Sequence, residues 1–398
     1  MSHPLAILGG VPRFSEPLHV GRPNKGSRER FLARVAEMWD RNWLTNDGPL
    51  VREFEAAIAR ESGAPYCVAM CNGTIALEIA IRALGLYGEV IVPAYTFVAT
   101  VHALHWQGMT PVFCDVDPVT HNMDPRSAEA ALSPATTGIL GVHLWGRPCP
   151  DDLHKLADER DLPLLFDAAH AFACGTSVRQ VGSFGKAEVL SFHATKFVNS
   201  FEGGAVLTHD PELDRRMRLM RNFGFAGFDN VVHAGTNGKL TEISAAMGLT
   251  SLESLPEIVG TNRRHHARYF ARLGTIPGLR VMNYADVPRH NYQYVVVEVD
   301  PLRAGLTRDE LLNTLQHENI LARRYFFPGC HRMAPYRDEP RRHIRVPLPV
   351  SERLCETVML LPTGTAVSGG DIDTVCEVIE EAVASADAVR RAIARSSS

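Results

Sequence analysis

The stretch SFHATKFVNSFEGG, residues 191–204, carries one lysine, Lys196, near its centre. The apolar run AEVLSF (187–192) leads into this stretch, and a second apolar run, GAVLTH (204–209), follows it. A lysine in a pocket at the end of a buried strand can form a Schiff base with an aldehyde, once desolvation or a nearby cation has helped its amine to lose a proton. The alternative is a solvated surface lysine, and Lys196 taken alone does not decide between the two.

Short apolar runs, separated by helical patterns, occur along the chain from residue 66 to residue 209 and include the two that flank Lys196. The predicted strands are YCVAM (66–70), EVIV (89–92), PVFCDV (111–116), TGILGVH (137–143), LPLLF (162–166), AEVLSF (187–192) and GAVLTH (204–209). Near-continuous apolar runs that alternate with helices are typical of a mostly parallel sheet covered on both faces. The predicted fold class is therefore α/β, with a seven-stranded, mostly parallel sheet.

The chain of 398 residues is long enough for two domains. A helix is predicted near 256–273, and after it strands such as YQYVVVEVD mix with helices such as TRDELLNTLQHE. We therefore predict a large domain over 1–260 and a smaller C-terminal α+β domain over 261–398. Residues 1–30 are expected to form an irregular arm, and residues 388–398 a frayed, Arg/Ser-rich tail.

Composition and charge argue against several classes of protein. The composition of 45% hydrophobic and 22% charged residues, with a net charge of −4, argues against a dedicated nucleic-acid surface. No apolar stretch approaches the roughly 20 residues of a membrane span, and the N-terminus lacks the features of a signal peptide. Eight cysteines without a CxxC pair indicate reduced thiols in a cytoplasmic protein. The 17 histidines show no metal-ligand spacing, so no metal site is expected.

The segment CNGTIALEIAIRALG (71–85) follows the first predicted strand. Gly73 and Thr74 open its helix with free backbone N–H groups, the positive end of the helix dipole and a hydroxyl, which together suit a phosphate. The alternative is an ordinary helix N-cap by Asn72 or Thr74, which needs no ligand.

Two further segments place side chains at carboxyl ends of strands, where ligands bind in open α/β sheets. PAYTFVAT (93–100) presents Tyr95 and Phe97, either of which can stack on a flat ring, with core packing as the alternative. Asp167 directly follows a buried strand, where an acid is costly without a cationic partner. His170 comes three residues later, within reach of the same ligand. The alternative for Asp167 is a cap of the next helix.

A phosphate cradle, an aromatic ring, a buried carboxylate and a lysine together predict a site for pyridoxal phosphate. This cofactor needs a site for its phosphate, a ring to stack on, a carboxylate to keep its pyridine nitrogen protonated and a lysine for its aldehyde. Asp167 precedes Lys196 by 29 residues, enough for a helix and a strand. A Rossmann dinucleotide site is excluded because no G-x-G-x-x-G follows the first strand.

The chain resembles the DegT/DnrJ/EryC1/StrS family of sugar aminotransferases over essentially its whole length. The motifs that carry this resemblance are LTNDGPLVREFE, NGTIAL, PAYTFVAT, GVHLWGRP, DAAHA, SFHATK with FEGG, GTNGKLTEISAAMGL and LPTGT. The chain is most similar to the branch that makes dTDP-4-amino-4,6-dideoxyglucose for aminosugar-bearing antibiotics. The resemblance implies a pyridoxal-phosphate-dependent transferase of fold type I, the aspartate aminotransferase-like fold.

The resemblance also implies roles for individual residues. Lys196 is expected to be the Schiff-base lysine and proton shuttle, with Asp167 as the partner of the pyridine nitrogen. His170 is expected beside the ring hydroxyl, and Phe97 stacked on the cofactor. The implied phosphate ligands are Gly73, Thr74 and Ser191.

In this family a partner subunit donates an asparagine to the phosphate, which implies a homodimer with shared sites. Asn237 in GTNGKL matches that asparagine, but Gly238 and Lys239 replace the aromatic residue and the arginine of the common GYNYRM motif. Lys239 is the alternative donor. The helix that follows contains small residues that we expect to pack against the partner, with packing inside the same subunit as the alternative. These residues are Ser244, Ala245, Ala246 and Gly248.

The substrate side is inferred from the same resemblance. NYQYVV (291–296) and ARRYFFPGCH (322–331) resemble the segments that bind nucleotide sugars in the family. The candidate substrate residues are Lys239, Arg323, Tyr325 and His331. A solvated pair formed by Arg323 and Arg324 is the alternative for the arginines.

The expected reaction moves the amino group of L-glutamate to the keto carbon of a dTDP-4-keto-6-deoxyhexose, giving a dTDP-4-amino-4,6-dideoxyhexose. The alternatives are an aminotransferase for 3-keto sugars or cyclitols, a sugar dehydratase, and a non-catalytic sensor or scaffold that binds the cofactor. Dehydratases of the family carry histidine in place of the lysine, so Lys196 argues against that activity. The presence of both Lys196 and Asp167 argues against a non-catalytic role.

Overall fold

The computed structural model describes residues 4–396, and the expectations for the arm and the tail are tested only within this range. Its strands are β1 Leu18–His19, β2 Tyr66–Met70, β3 Glu89–Pro93, β4 Thr110–Cys114, β5 Thr136–Val142, β6 Leu164–Asp167, β7 Ala187–Ser191, β8 Gly204–Thr208, β9 Leu279–Val281, β10 Val295–Val299, β11 Ile320–Leu321 and β12 Val358–Leu361. Its helices are α1 Arg28–Arg41, α2 Pro49–Ser62, α3 Gly73–Ala83, α4 Val98–His105, α5 Pro125–Ala131, α6 Asp152–Glu159, α7 Pro211–Met220, α8 Glu242–Glu253, α9 Leu255–Leu273, α10 Pro301–Ala304, α11 Arg308–His317, α12 Ala334–Arg337, α13 Pro340–His343, α14 Pro349–Thr357, α15 Gly369–Ala384 and α16 Ala386–Ser396.

The central sheet contains the seven strands predicted from the apolar runs, in the order β2-β8-β7-β6-β5-β3-β4. Strand β8 pairs antiparallel with both of its neighbours, and the other pairs are parallel. The prediction of an α/β fold with a mostly parallel seven-stranded sheet is therefore confirmed. The predicted ends differ by two residues at most, as at β4, which ends at Cys114 because the chain leaves the sheet there.

Both faces of this sheet are buried, as its near-continuous apolar strands require. In β3, Ile91 packs into the core on one face, whereas Val90 and Val92 pack into the core on the other. Helices α2, α5, α6 and α8 cover the first face, and α3, α4 and α7 cover the second. The carboxyl ends of the parallel strands are thereby left as an accessible edge.

The C-terminal part has its own antiparallel sheet, in the order β12-β10-β9, packed against α9, α11 and α15. The N-terminal arm contributes to this second core, since Leu5 and Leu18 are buried in it and β1 pairs in parallel with β11. Helix α9 runs across the predicted boundary at residue 260. The division into two domains stays a prediction, with the arm packed on the C-terminal side.

Two expectations from the sequence are wrong. Residues of the predicted frayed tail form α16, because Val389 is buried in the C-terminal core and anchors the helix. Three of the four small residues of α8 pack inside the subunit rather than against a partner, since Ala245, Ala246 and Gly248 are buried, whereas Ser244 is half-buried. A Cβ added at Gly248 would lie 2.5 Å from the ring of Phe54 on α2, so glycine permits this close helix contact.

No helix within residues 4–396 is long and apolar enough to cross a membrane.

A buried carboxylate joins α8 to the start of α2. Gly48 occupies the N-cap of α2 and has no side chain with which to cap it. Glu242, which is only 1% exposed, takes over this task from the start of α8. Its oxygens accept hydrogen bonds from the backbone N–H groups of Leu50 (3.0 Å) and Val51 (2.8 Å). An acidic group at this position also interacts favourably with the helix dipole.

We predict that Glu242→Ala lowers the free energy of unfolding by about 2–4 kcal/mol, because it leaves two buried N–H groups without acceptors. Urea unfolding at a fixed protein concentration measures this change. The matched control is Glu53→Ala on the exposed face of α2, which should stay within about 0.5 kcal/mol of the unchanged protein. Equal effects of the two substitutions would contradict the capping role.

Candidate active site

Four loops meet at the carboxyl edge of the central sheet. Asp167 ends β6, where it pairs in register with Val142 of β5 and Val189 of β7. Ser191 ends β7 opposite Gly204, which also lies opposite the last residue of β2. These loops surround a cavity of about 570 Å³, which we call the lysine cavity. Of the residues predicted from the sequence, its walls contain Gly73, Thr74, Phe97, Asp167, His170, Ser191, Lys196, Arg323 and Tyr325.

The first turn of α3 forms one wall of this cavity. Asn72 is the N-cap, and its side-chain oxygen accepts a hydrogen bond from Ile75 N (2.9 Å), so the capping alternative is correct for Asn72. The N–H groups of Gly73 and Thr74 lie in the turn where a helix supplies no carbonyl partner. A Cβ added at Gly73 would lie 3.1 Å from the Cβ of Ser191. Glycine therefore allows the helix start and the Ser191 hydroxyl to approach each other, as a shared anion site needs.

Asp167 is a buried carboxylate, 7% exposed, beside the cavity. It accepts hydrogen bonds from Thr100 Oγ1 (2.8 Å) and from Ala169 N (3.0 Å). Burial raises the pKa of Asp167, although these bonds and the charge of Lys196 oppose the rise. Because both hydrogen-bond donors are neutral, the ionised carboxylate is best stabilised by a cationic group placed in the cavity.

Lys196 is half-buried, and its Nζ donates a hydrogen bond to the hydroxyl of Tyr294 (3.2 Å). Burial lowers the pKa of Lys196 to about 8, even though the charges of Asp167 and Tyr325 act in the opposite direction. At pH 7 about a tenth of the amine is therefore unprotonated, and nucleophilic attack and proton transfer require this form.

Aromatic rings border the cavity on two sides. His170 is buried and stacks on Trp145 with a centroid distance of 5.5 Å. Burial and the charge of Lys196 hold the pKa of His170 well below its usual range, so this imidazole is neutral. Its Nδ1 has no hydrogen-bond partner among the described residues. Phe97 is 54% exposed at the cavity, whereas Tyr95 is fully buried, so core packing is correct for Tyr95 only.

Three predicted site residues lie outside the walls of the lysine cavity. His331 is buried behind it, 6.3 Å from the ring of Phe113. Asn237 is exposed and pairs with Asn222 through a β-bridge. Lys239 donates a hydrogen bond to the Asn222 side chain (3.0 Å) and borders a separate cavity of about 200 Å³. The cavity of a single chain therefore contains neither the predicted partner residues nor His331.

Sequence reasoning missed two side chains of this site. Tyr294 lies in NYQYVV, which the sequence predicts as part of a strand and, by resemblance, as a substrate segment, but neither prediction includes a contact with Lys196. Thr100 closes the PAYTFVAT segment, one helical turn after Thr96, with which it shares a hydrogen bond (3.0 Å). The hydrogen bond from Thr100 to Asp167 joins residues 67 positions apart in the sequence, so only the folded structure reveals it.

The residues of the cavity fit pyridoxal phosphate. The start of α3 and Ser191 suit its phosphate, Asp167 suits a protonated ring nitrogen, and Lys196 suits its aldehyde. The unpartnered Nδ1 of His170 suits a polar group on the ring. For comparison, residues 4–396 contain no group of three or more His, Cys, Asp or Glu side chains that could hold a metal ion.

The fold and this set of side chains define a pyridoxal-phosphate-dependent aminotransferase of fold type I. The model of the DegT/DnrJ/EryC1/StrS aminotransferase family matches residues 26–380, and the chain belongs to that family. Pyridoxal phosphate is accordingly its cofactor, as predicted.

Individual relatives support the same assignment. A dTDP-4-amino-4,6-dideoxy-D-glucose transaminase of Shigella dysenteriae is 38% identical over 79% of this chain and 86% of its own length. A protein of the same name from Escherichia coli is 33% identical over 87% of this chain and 93% of its own. The crystal structure of DesI in the presence of its TDP-sugar product is similar with a TM-score of 0.92 and 48% identity, covering 99% of each chain.

We predict that in the cofactor-free protein the labelling of Lys196 by an amine-directed reagent is half-maximal near pH 8, because only the unprotonated amine reacts and burial lowers its pKa to about 8. Competitive labelling followed by peptide mass spectrometry measures this midpoint. Lys155 is the internal control, since Asp152 raises its pKa above the usual value. A midpoint for Lys196 as high as that of Lys155 would contradict the burial argument.

Proposed function

We propose that this aminotransferase moves the amino group of L-glutamate to C4 of a dTDP-4-keto-6-deoxyhexose and releases a dTDP-4-amino-4,6-dideoxyhexose. The observation that carries the proposal is the similarity to DesI, at 48% identity over 99% of both chains, because that structure was determined with its TDP-sugar product. The two transaminases of dTDP-4-amino-4,6-dideoxy-D-glucose among the relatives support the same position of the amino group.

The proposed roles at the cofactor follow from charge. Pyridoxal phosphate, when bound, acts as an electron sink for the carbon that loses its proton. Asp167 would hold the ring nitrogen in its protonated form, because an ion pair offsets the cost of burying this carboxylate. His170 would contact the ring hydroxyl as a neutral imidazole. Phe97 would stack on the ring, and Gly73, Thr74 and Ser191 would bind the phosphate.

Lys196 would serve both half-reactions. Its Nζ would hold the aldehyde of the resting cofactor and, when free, would accept the proton from the α-carbon of the amino donor. The same nitrogen delivers a proton to the sugar carbon in the second half-reaction. A pKa of about 8 suits both directions, since the amine neither binds nor releases its proton too strongly near neutral pH.

The nucleotide sugar would enter between the cofactor and the C-terminal part of the chain. Arg323 and Tyr325 are on that side of the lysine cavity and offer a cation and a hydroxyl to the diphosphate or the sugar. His331 and Lys239 complete the set of proposed substrate residues, although they lie beyond the cavity of their own chain. The cytoplasm is the proposed location, supported by eight cysteines that form no disulfide among the described residues. A pathway to an antibiotic aminosugar is proposed from the resemblance to that branch of the family alone.

The proposed assembly is a homodimer in which each subunit completes the other's site. Asn237 is exposed and lies outside the cavity of its own chain, which agrees with donation to a neighbour. Phe223, Phe225 and Phe228, on the adjoining segment, are large exposed apolar residues that a partner would cover.

The substrate assignment is tested by incubating the protein, cofactor and L-glutamate with dTDP-4-keto-6-deoxyglucose. We expect a dTDP-sugar with its amine at C4, identified by nuclear magnetic resonance. A 3-keto isomer and a cyclitol ketone run in parallel should react at least about a hundredfold more slowly in kcat/KM. Preferred amination of either competitor, or no turnover at all by the unchanged protein, would overturn the proposal.

Lys196→Ala should abolish turnover, and Asp167→Asn should slow it by about a hundredfold or more.

The shared site is tested by mixing two defective chains. Asn237→Ala should weaken cofactor retention while leaving Lys196 intact. After subunit exchange with Lys196→Ala chains, we expect partial recovery of activity, because one site of the heterodimer then has both residues. The control replaces the first partner with the double variant Lys196→Ala/Asn237→Ala, which cannot restore any site. A fully active monomer in sedimentation, or no recovery after confirmed exchange, would contradict shared sites.

A further inference from the structure

The hydrogen bond between Lys196 and Tyr294 joins the turn between β7 and β8 (residues 192–203), which we call the lysine turn, to the C-terminal part of the chain. Lys196 Nζ lies 3.2 Å from the Tyr294 hydroxyl and 5.8 Å from the centre of its ring. Tyr294 immediately precedes β10, the central strand of the C-terminal sheet. The partner of the lysine is therefore anchored in a different layer from the strand that carries the lysine.

Packing fixes the ring of Tyr294. It is 4.5 Å from the ring of His170 and 5.5 Å from that of Trp145, which it meets edge to face. The side chain is buried, and burial raises the pKa of its hydroxyl far above the usual value. The hydroxyl thus stays protonated over the working range of pH, and its position is set by side chains on two sides.

A second polar environment lies behind this tyrosine. Gln293 and Asn262 are buried and border, with Tyr294, a small cavity of about 20 Å³. Both amide atoms of Gln293 and the side-chain oxygen of Asn262 lack partners among the described residues. A space of this size holds one water bonded to several polar atoms.

We propose that Tyr294 is a positioning residue for Lys196, which holds the free amine at the cavity whenever the lysine is not bonded to the cofactor. Gln293 acts behind it, directly or through one water, by orienting the hydroxyl. The inference rests on the proposed function, because aminotransfer releases the lysine in each half-reaction. A released lysine has a long, freely rotating side chain. Without a fixed acceptor its nitrogen would leave the position from which it reaches the reacting carbon.

The test compares Tyr294→Phe, Gln293→Leu and the matched control Tyr292→Phe. Tyr292 belongs to the same segment but packs against His290 (4.7 Å) and borders neither cavity. Each protein is loaded with pyridoxamine phosphate, so that Lys196 is free, and the labelling midpoint of this lysine is measured against pH. Visible absorbance and circular dichroism establish that each variant is folded and loaded.

We expect Tyr294→Phe to lower the midpoint of Lys196 by at least about half a pH unit, because the ammonium loses its acceptor in a buried site. Gln293→Leu should shift it in the same direction by less, and Tyr292→Phe should leave it unchanged. The half-reaction with L-glutamate should slow about tenfold in Tyr294→Phe with little change in KM, which separates positioning from substrate binding.

An unchanged midpoint in both Tyr294→Phe and Gln293→Leu would overturn the proposal, as would equal effects in the control. If Tyr294→Phe does not fold, Gln293→Leu alone decides by the direction of its shift. The labelling requires neither substrate. A wrong choice of sugar or amino donor would therefore appear as a missing reaction in the unchanged protein, while the midpoints of the variants would still test Tyr294.

Discussion

The buried carboxylate of Asp167 constrains the site more than any other single group. It ends a strand in the middle of the sheet, where water cannot stabilise its charge, and two neutral hydrogen bonds do not cancel the rise in its pKa. A buried ionised acid of this kind is stabilised when a cationic group lies beside it, because the ion pair offsets the cost of desolvation. The cavity next to Asp167 therefore favours a bound cationic group over a neutral or anionic one.

The same burial acts on Lys196 with the opposite result. Desolvation disfavours the charged form of both residues, so it raises the pKa of the acid and lowers that of the amine to about 8. The two charges moderate each other without direct contact being needed. Desolvation at this edge of the sheet thus leaves an acid that needs a cationic partner near an amine that can lose its proton, and aminotransfer needs both properties.

The features of this structure that could be predicted from the sequence are those that depend on the pattern of residues within a short segment. The apolar runs predict all seven strands, because a strand that is buried on both faces consists of a near-continuous apolar run. The residues at the carboxyl ends of the parallel strands lie together at one edge of the sheet, as expected. Contacts between distant segments had no local signal: Tyr294 reaches Lys196 across 98 residues. The small residues of α8 misled because they suit a helix of the same chain as well as a partner's, and Gly248 against Phe54 shows which was used.

The lysine turn is itself held by segments from both ends of the chain. Asn24, in the N-terminal arm, donates a hydrogen bond to Phe197 O (3.1 Å), and its backbone oxygen accepts one from Asn199 (2.7 Å). The side-chain oxygen of Asn24 also accepts from Thr365 N (2.8 Å), beyond the C-terminal sheet. The position of Lys196 is consequently a property of the whole assembled chain. Packing of the arm and the C-terminal part, rather than the central sheet alone, aligns the amine with the carboxylate that the sheet presents.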